Sequence, residues 1–295
     1  MNRVGIYYAY WTHDWDADFV PFVERVKRLG FDALEVNSGT VAGMSRAERE
    51  KLRSVALDQG VALTACIGLP ARYDPSSPDP SVRSRGVRFL GKQIEAAAAT
   101  GISAISGILY AAWPGAMPAG ETDKRPYWDR SVKSLREASW VAADCGVRLN
   151  MEVVNRFEQF LLNTAAEAVR YVREVGSPAC GILLDTFHMN IEEDSFRSAI
   201  RAAGSKLGHV HLGETNRRPP GRGKMPWPEI FEALRSIRYE GSLVMEPFLM
   251  PGGEVGRDIR VFRDLREGRD LDKEAARACR FVRAGLEPLG SRASR

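Results

Sequence analysis

The chain has 295 residues, 44% of them apolar and 27% charged, enough for a sizeable core. Its 42 basic residues against 38 acidic ones leave a net charge of +4, spread along the chain, which excludes the basic stripe of a nucleic-acid binder. No run approaches the ~18 apolar residues of a membrane span, and Cys66, Cys145, Cys180 and Cys279 form no CxxC pair, which argues against a zinc ribbon or redox dithiol.

The opening Met1-Asn2-Arg3-Val4-Gly5-Ile6-Tyr7 reaches the polar Thr12-His13-Asp14 without a signal-peptide apolar region, so a cytoplasmic protein with reduced thiols is expected. The first strand is expected over residues 4–10. An amphipathic helix follows, with Asp18 placed to cap it, Phe19, Phe22, Val23, Val26 and Leu29 on one face, and Gly30 to stop it. The same phrase of helix, glycine and β-branched run recurs at Gly60-Val61, Gly101-Ile102 and Gly146-Val147. Further strands are expected over 33–37, 63–68, 104–110, 149–154, 181–187, 208–212 and 242–248, with helices over 46–59, 81–98, 129–145, 164–175, 195–203, 227–237 and 272–286. Strand starts fall roughly 25 to 45 residues apart, the length of a βα unit.

Strict alternation of strand and helix means a parallel sheet covered by helices. Eight units favour closure into a single (β/α)8 TIM barrel over residues 1–295, with no linker to divide it and no GxGxxG after the first strand to suggest a dinucleotide fold. Residues 280–295 read as a solvated basic tail. The segment 114–126, rich in Gly, Pro and charge, reads as a lid or a surface loop.

A barrel puts its functional side chains at the C-terminal ends of its strands. The last four expected strands each carry an ionisable residue in an apolar run: Glu152, Asp185, His211 and Glu246. One such residue is as readily a cap or salt-bridge partner. Four converging on one mouth would repel one another unless a cation sat among them. Three carboxylates and an imidazole favour Mn²⁺, Mg²⁺ or Co²⁺ over a thiolate-type zinc site. His188, three residues past Asp185, is as readily a substrate contact as a loop hydrogen bond. His209 points the same way as His211, one layer deeper, and reads as a core histidine or one that backs a neighbouring ligand. Arg156, Glu158 and Arg217 by themselves read as surface charges, and His13 earns no role. Gly223-Lys224 fails as a phosphate loop because Met225 stands where Ser or Thr is needed.

Around these residues the chain resembles the D-tagatose 3-epimerase family of ketose 3-epimerases, which belong to the xylose isomerase-like barrels. The resemblance rests on Glu152-Val153-Val154-Asn155-Arg156-Phe157-Glu158-Gln159, Leu184-Asp185-Thr186-Phe187-His188-Met189-Asn190-Ile191-Glu192, His209-Val210-His211-Leu212-Gly213-Glu214 and Met245-Glu246-Pro247-Phe248, with Tyr8-Ala9-Tyr10-Trp11 and Ala112-Trp113-Pro114 extending it over almost the whole chain. It implies Glu152, Asp185, His211 and Glu246 as ligands of a divalent metal, Mn²⁺ first, and Glu152 and Glu246 as the acid/base pair. It implies that Glu158, His188 and Arg217 contact the sugar near its carbonyl, and that Tyr7, Trp15, Cys66, Ile108, Trp113 and Phe248 wall its distal carbons. Tyr7 and Ile108 depart from the phenylalanine and leucine expected of the nearest relatives, which touches substrate preference rather than the reaction. The implied activity is reversible epimerisation at carbon 3 of a free ketose such as D-tagatose, D-fructose, D-psicose or L-ribulose, through a cis-enediolate, by a homodimer. The rivals are an aldose–ketose or hydroxypyruvate isomerase on the same barrel, and a sugar-binding protein that has lost its chemistry.

Overall fold

The computed structural model describes residues 2–287. Eight strands, β1 (Val4–Tyr7), β2 (Ala33–Asn37), β3 (Ala62–Leu69), β4 (Ala104–Ala112), β5 (Arg148–Val153), β6 (Cys180–Asp185), β7 (Leu207–Leu212) and β8 (Leu243–Met245), pair in parallel in sequence order. β1 pairs with β8, which closes the ring. The covering helices are α1 (Val20–Arg28), α2 (Ser38–Gly43), α3 (Arg46–Gln59), α4 (Pro80–Thr100), α5 (Arg125–Asp144), α6 (Ala165–Val175), α7 (Thr186–Glu192), α8 (Phe196–Ala203), α9 (Trp227–Ser236), α10 (Gly253–Asp258) and α11 (Leu271–Leu286). The expected (β/α)8 barrel is the observed fold, and no described helix is long and apolar enough to cross a membrane.

Local chemistry accounts for most boundaries. Ser45 and Glu48 form a reciprocal capping box at the start of α3, and Gly60 ends it at φ 62°. Asp79, Thr164, Ser195 and Asp270 cap α4, α6, α8 and α11 through side-chain oxygens. Asp18 accepts from Val20 N–H at 3.0 Å, yet the residue flanking α1 is Phe19, because the helix starts one position later than expected. Residues 280–286 are the last turns of α11, in keeping with the helix expected over 272–286 and not with the solvated tail read from 280: Val282 is buried, and Arg283 pairs with Asp32 at 2.8 Å. The rest of that expected tail, 288–295, lies outside the described residues.

The strands depart from expectation where they meet the mouth. β1 stops at Tyr7, and Tyr8–Tyr10 turn inward as a buried 3-10 helix whose hydroxyls reach out of the strand line, Tyr8 to Trp15 O and Tyr10 to Leu271 O. β8 leaves the ladder after Met245, and 246–248 run on buried, held by Glu246 N–H to Leu212 O and Phe248 N–H to Arg217 O. β6 ends at Asp185, whose carboxylate accepts from Phe187 N–H at 2.7 Å and so starts α7 within the expected strand. On β4, Gly107 sits at φ 118°, where a Cβ would come 2.2 Å from Ile67 O, and the register with β3 slips nearby, between Gly68 and Leu69. That close approach, open only to glycine, brings Ile108 to the mouth.

Side chains alternate across each strand. Leu34, Val36, Leu149, Ile182 and Val210 are buried on the core-facing layers, each burial contributing about 1.5–3 kcal/mol. Glu35, Thr64, Asn150, Glu152, His209 and His211 fall on the inward-pointing positions, so the barrel interior is polar from mid-height to the mouth.

Candidate active site

Glu152 near the end of β5, Asp185 ending β6, His211 in β7 and Glu246 just past β8 each offer a ligand atom within 4.8 Å of the others, and all are buried. Two like charges at that separation repel by roughly 3 kcal/mol even at an effective dielectric of about 20. The strain shows on Glu246. Burial, joined by Glu152 and Asp185, pushes its carboxyl up to about 8, against the pull of His211 and Arg217. Burial alone would draw the His211 imidazole down, but Glu246 and Glu35 outweigh it and hold the ring well above its ordinary value. Both shifts say that positive charge is wanted among these carboxylates.

The His211 ring shows where. Its Nε2 lies 2.7 Å from Glu35 Oε2, while Nδ1 is buried without a hydrogen-bond partner, 3.7 Å from Glu152 Oε1 and 3.7 Å from Glu246 Oε2. An imidazole nitrogen without a hydrogen-bond partner, set among three carboxylates, is a donor set that fits a divalent cation of oxygen-rich preference. Glu35, Cys66 and His211 form a second group at ligand spacing. Burial, with Glu35 beside it, pushes the Cys66 thiol well up, so that trio supplies no thiolate.

Arg217 reaches the same centre. Its Nη1 donates to Asp185 Oδ2 at 3.1 Å and to Glu246 Oε2 at 3.0 Å, and the guanidinium lies over the Phe187 and Phe248 rings at 4.2 and 5.3 Å. Its backbone is left-handed, φ 58°, an uncommon conformation for arginine that costs of order 1–3 kcal/mol. The turn is locked on both sides, by Arg217 N–H to Glu214 O and by Phe248 N–H to Arg217 O. Glu214 is buried and accepts from Gly221 N–H, Met225 N–H and Trp227 Nε1. Its carboxylate therefore holds the whole β7–α9 loop, and it explains Gly223, where a Cβ would meet Glu214 at 2.3 Å.

Above the cluster opens a cavity of about 500 Å³. Tyr7, Trp15, Cys66, Ile108, Trp113, Glu152, Glu158, His188, Arg217, Glu246 and Phe248 all line it, while Asp185 and His211 lie fully buried beneath. The residues singled out in the sequence thus converge on one place. His13 is exposed and Arg156 pairs with Glu192 at 2.7 Å, both outside the cavity. Residues 114–126 do not line it either, and the wall on that side is Trp113, whose Nε1 donates to Glu158 Oε2 at 3.0 Å.

Two contributors escape the sequence reading. Asn155 donates its backbone N–H to His188 Nδ1 and places its amide 2.7 Å from the same atom, with a further bond to Glu158 Oε1 at 3.0 Å. A main-chain N–H can only donate, so His188 Nδ1 accepts and Nε2 carries the proton, 3.8 Å from both Glu152 Oε1 and Asp185 Oδ2. Glu35, on β2, touches both strand-seven histidines. Its signal was the one used on the later strands, an acid inside the apolar run Ala33-Leu34-Glu35-Val36. His209 accordingly backs His211, with Nε2 2.9 Å from Glu35 Oε1.

The family model for xylose isomerase-like TIM barrels matches residues 23–265. A D-psicose 3-epimerase from Ruminiclostridium cellulolyticum is 46% identical over 287 residues, covering 96% of this chain and 97% of that protein. An L-ribulose 3-epimerase from Mesorhizobium japonicum is 34% identical over 290 residues, covering 97% and 95%. A crystal structure of D-psicose 3-epimerase in the presence of D-fructose matches with a TM-score of 0.93 at 46% identity, over 96% of this chain and 99% of the other. Barrel, mouth and matched span define the class, an isomerase on a xylose isomerase-like TIM barrel. Within it, the chain belongs to the ketose 3-epimerase family.

Proposed function

We propose that this enzyme inverts carbon 3 of a free ketose with the help of a divalent metal, Mn²⁺ first and Co²⁺ or Mg²⁺ next. The observation that carries the reading is the partnerless Nδ1 of His211 set among Glu152, Asp185 and Glu246 beneath a sugar-sized cavity. These four residues hold the ion, which supplies Lewis-acid polarisation of a carbonyl.

The chain's own groups do the rest. Glu152 and Glu246 come from strands three apart in the ring, with the His211 ring 3.7 Å from each. One takes the proton from carbon 3 and the other returns a proton to the opposite face through a cis-enediolate, with the roles exchanged in the reverse direction. The His188 Nε2–H and the Arg217 guanidinium face the carbonyl end and stabilise negative charge there. Glu158, held by Trp113 and Asn155, accepts from a hydroxyl near that end. Tyr7, Trp15, Cys66, Ile108, Trp113 and Phe248 exclude water and shape the distal end.

Four free cysteines suit a reducing cytoplasm, and exposed Phe157 and Phe262 offer apolar surface for a homodimer contact. The deciding experiment strips the protein with a chelator and incubates it in deuterated water with D-psicose, D-fructose, D-tagatose and L-ribulose, with and without Mn²⁺. A carbon-3 epimer formed only with metal and carrying deuterium at carbon 3 is expected. An aldose product would move the assignment to an aldose–ketose isomerase, and sugar binding without turnover would leave a binding protein.

A further inference from the structure

Glu35 is fully buried mid-barrel and does not line the sugar cavity, so it has no direct access to a substrate. A buried carboxylate is costly unless both oxygens are satisfied. Here they are: Oε2 lies 2.7 Å from His211 Nε2 and Oε1 accepts from Thr64 Oγ1 at 2.9 Å, with His209 Nε2 an ion-pair neighbour at 2.9 Å that makes no hydrogen bond. With both oxygens engaged, Glu35 is a poor ligand itself. By accepting the Nε2 proton of His211 it leaves Nδ1, the atom that faces Glu152 and Glu246, as the nitrogen that would give up its proton to an ion. The His209 ring meets His211 edge-on, centroids 5.2 Å apart, which blocks the ring from swinging down.

We propose that Glu35, seated by His209 and Thr64, is a positioning residue that fixes the tautomer and aim of His211 and thereby sets the affinity of the enzyme for its divalent ion, without touching the sugar. The inference rests on the metal reading given above. Its components come from β2, β3 and β7, far apart in the chain, and form a carboxylate–histidine pair of the kind whose loss weakens metal binding about 10- to 100-fold.

The test titrates Mn²⁺ calorimetrically into chelator-stripped wild type, Glu35→Gln, His209→Asn and Thr64→Val, and measures kcat at saturating Mn²⁺. Glu35→Gln, an isosteric loss of charge, should bind Mn²⁺ about 10- to 100-fold more weakly and recover most of its kcat once the ion is saturating. His209→Asn and Thr64→Val, which leave the Glu35–His211 bond in place, should lose less affinity, in that order. Wild-type affinity in Glu35→Gln would overturn the proposal. So would unchanged affinity with a kcat that no excess of Mn²⁺ restores, because Glu35 would then act on the reaction. If Glu35→Gln does not fold, wild-type affinity in both other variants overturns it equally. A wild-type protein that binds none of Mn²⁺, Co²⁺ and Mg²⁺ would instead sink the metal reading itself, and this inference with it.

Discussion

The two halves of the barrel mouth are built differently. Strands β5 to β8 and the turns after them contribute Glu152, Glu158, Asp185, His188, His211, Arg217 and Glu246, a dense set of charges with little solvent. Strands β1 to β4 and their turns contribute Tyr7, Trp15, Cys66, Ile108 and Trp113, a mainly aromatic and aliphatic wall with Asn37 and Arg72 at its side. A parallel barrel makes this division easy, since each strand end is tied to its neighbours only through the backbone ladder and its side chain is free to vary. On the proposed reading, reaction and substrate preference sit largely on separate strands, with Phe248, just past β8, the exception. Substitutions in one half should change rates, and substitutions in the other should change which sugar reacts.

The largest effect belongs to the charged half. Glu152→Gln and Glu246→Gln should each cost at least ~10²–10⁴-fold in kcat, the range of a positioned acid or base, and loss of a metal ligand adds to it. Circular dichroism should show the barrel intact. A variant that keeps more than a tenth of wild-type turnover would take that glutamate out of the acid/base pair. Next comes Arg217→Ala, which removes the cation between Asp185 and Glu246 and should lower kcat/KM by about 10²–10³-fold, as loss of a charge-stabilising donor does. Equal kcat/KM would place Arg217 outside the reaction and leave it a structural neutraliser.

That division also explains what the sequence discloses. Glu152, Asp185, His211 and Glu246 are legible because an ionisable side chain in an apolar strand is costly and therefore conspicuous. Glu35 bears the same mark, but its strand offers no partner nearby: its contact with His211 spans 176 residues, and only barrel closure brings the two together. His209 was readable as a residue that backs another, though the acid it serves was not. Asn155 sits in a phrase full of polar residues, where nothing in the sequence says which amide meets His188. The strand count and order follow from glycine-terminated helices, whereas the ends of β1 and β6 do not, because there side-chain bonds from Tyr8, Tyr10 and Asp185 draw the chain off the ladder.

Metal loading sharpens the contrast at lower cost. On the proposed reading, an ion seated among the four β5–β8 residues would bind the folded barrel and not the unfolded chain. At about 100 times its Kd it should add ~2.7 kcal/mol of stability. For a domain of this size that is a rise in Tm of roughly 4–5 °C, read by calorimetry on stripped protein with and without Mn²⁺. Glu246→Gln should lose most of the rise, whereas Ile108→Val, on the opposite wall, should keep all of it. An equal rise in both variants would mean that the ion sits elsewhere.

The smallest effect tests the apolar half on its own terms. Tyr7 is buried at the end of β1, its ring meeting Trp15 and Phe248, each at 6.4 Å between centroids. Burial, with Tyr8, Cys66 and Glu246 adding to it, pushes the phenol well above its ordinary value, so the hydroxyl stays neutral and able to donate. Tyr7→Phe leaves the ring and its packing in place and deletes that donor alone. One hydrogen bond to a sugar hydroxyl is worth about 0.5–1.5 kcal/mol, so kcat/KM for ketoses that present a distal hydroxyl to this wall should fall roughly 2- to 12-fold, while sugars lacking it change little. The ranking among D-psicose, D-tagatose and L-ribulose should therefore shift with the metal affinity unaltered. A uniform fall for every sugar would show that Tyr7 supports the charged half instead, and the separation of reaction from preference would fail at the position where the two halves come closest, beside Phe248.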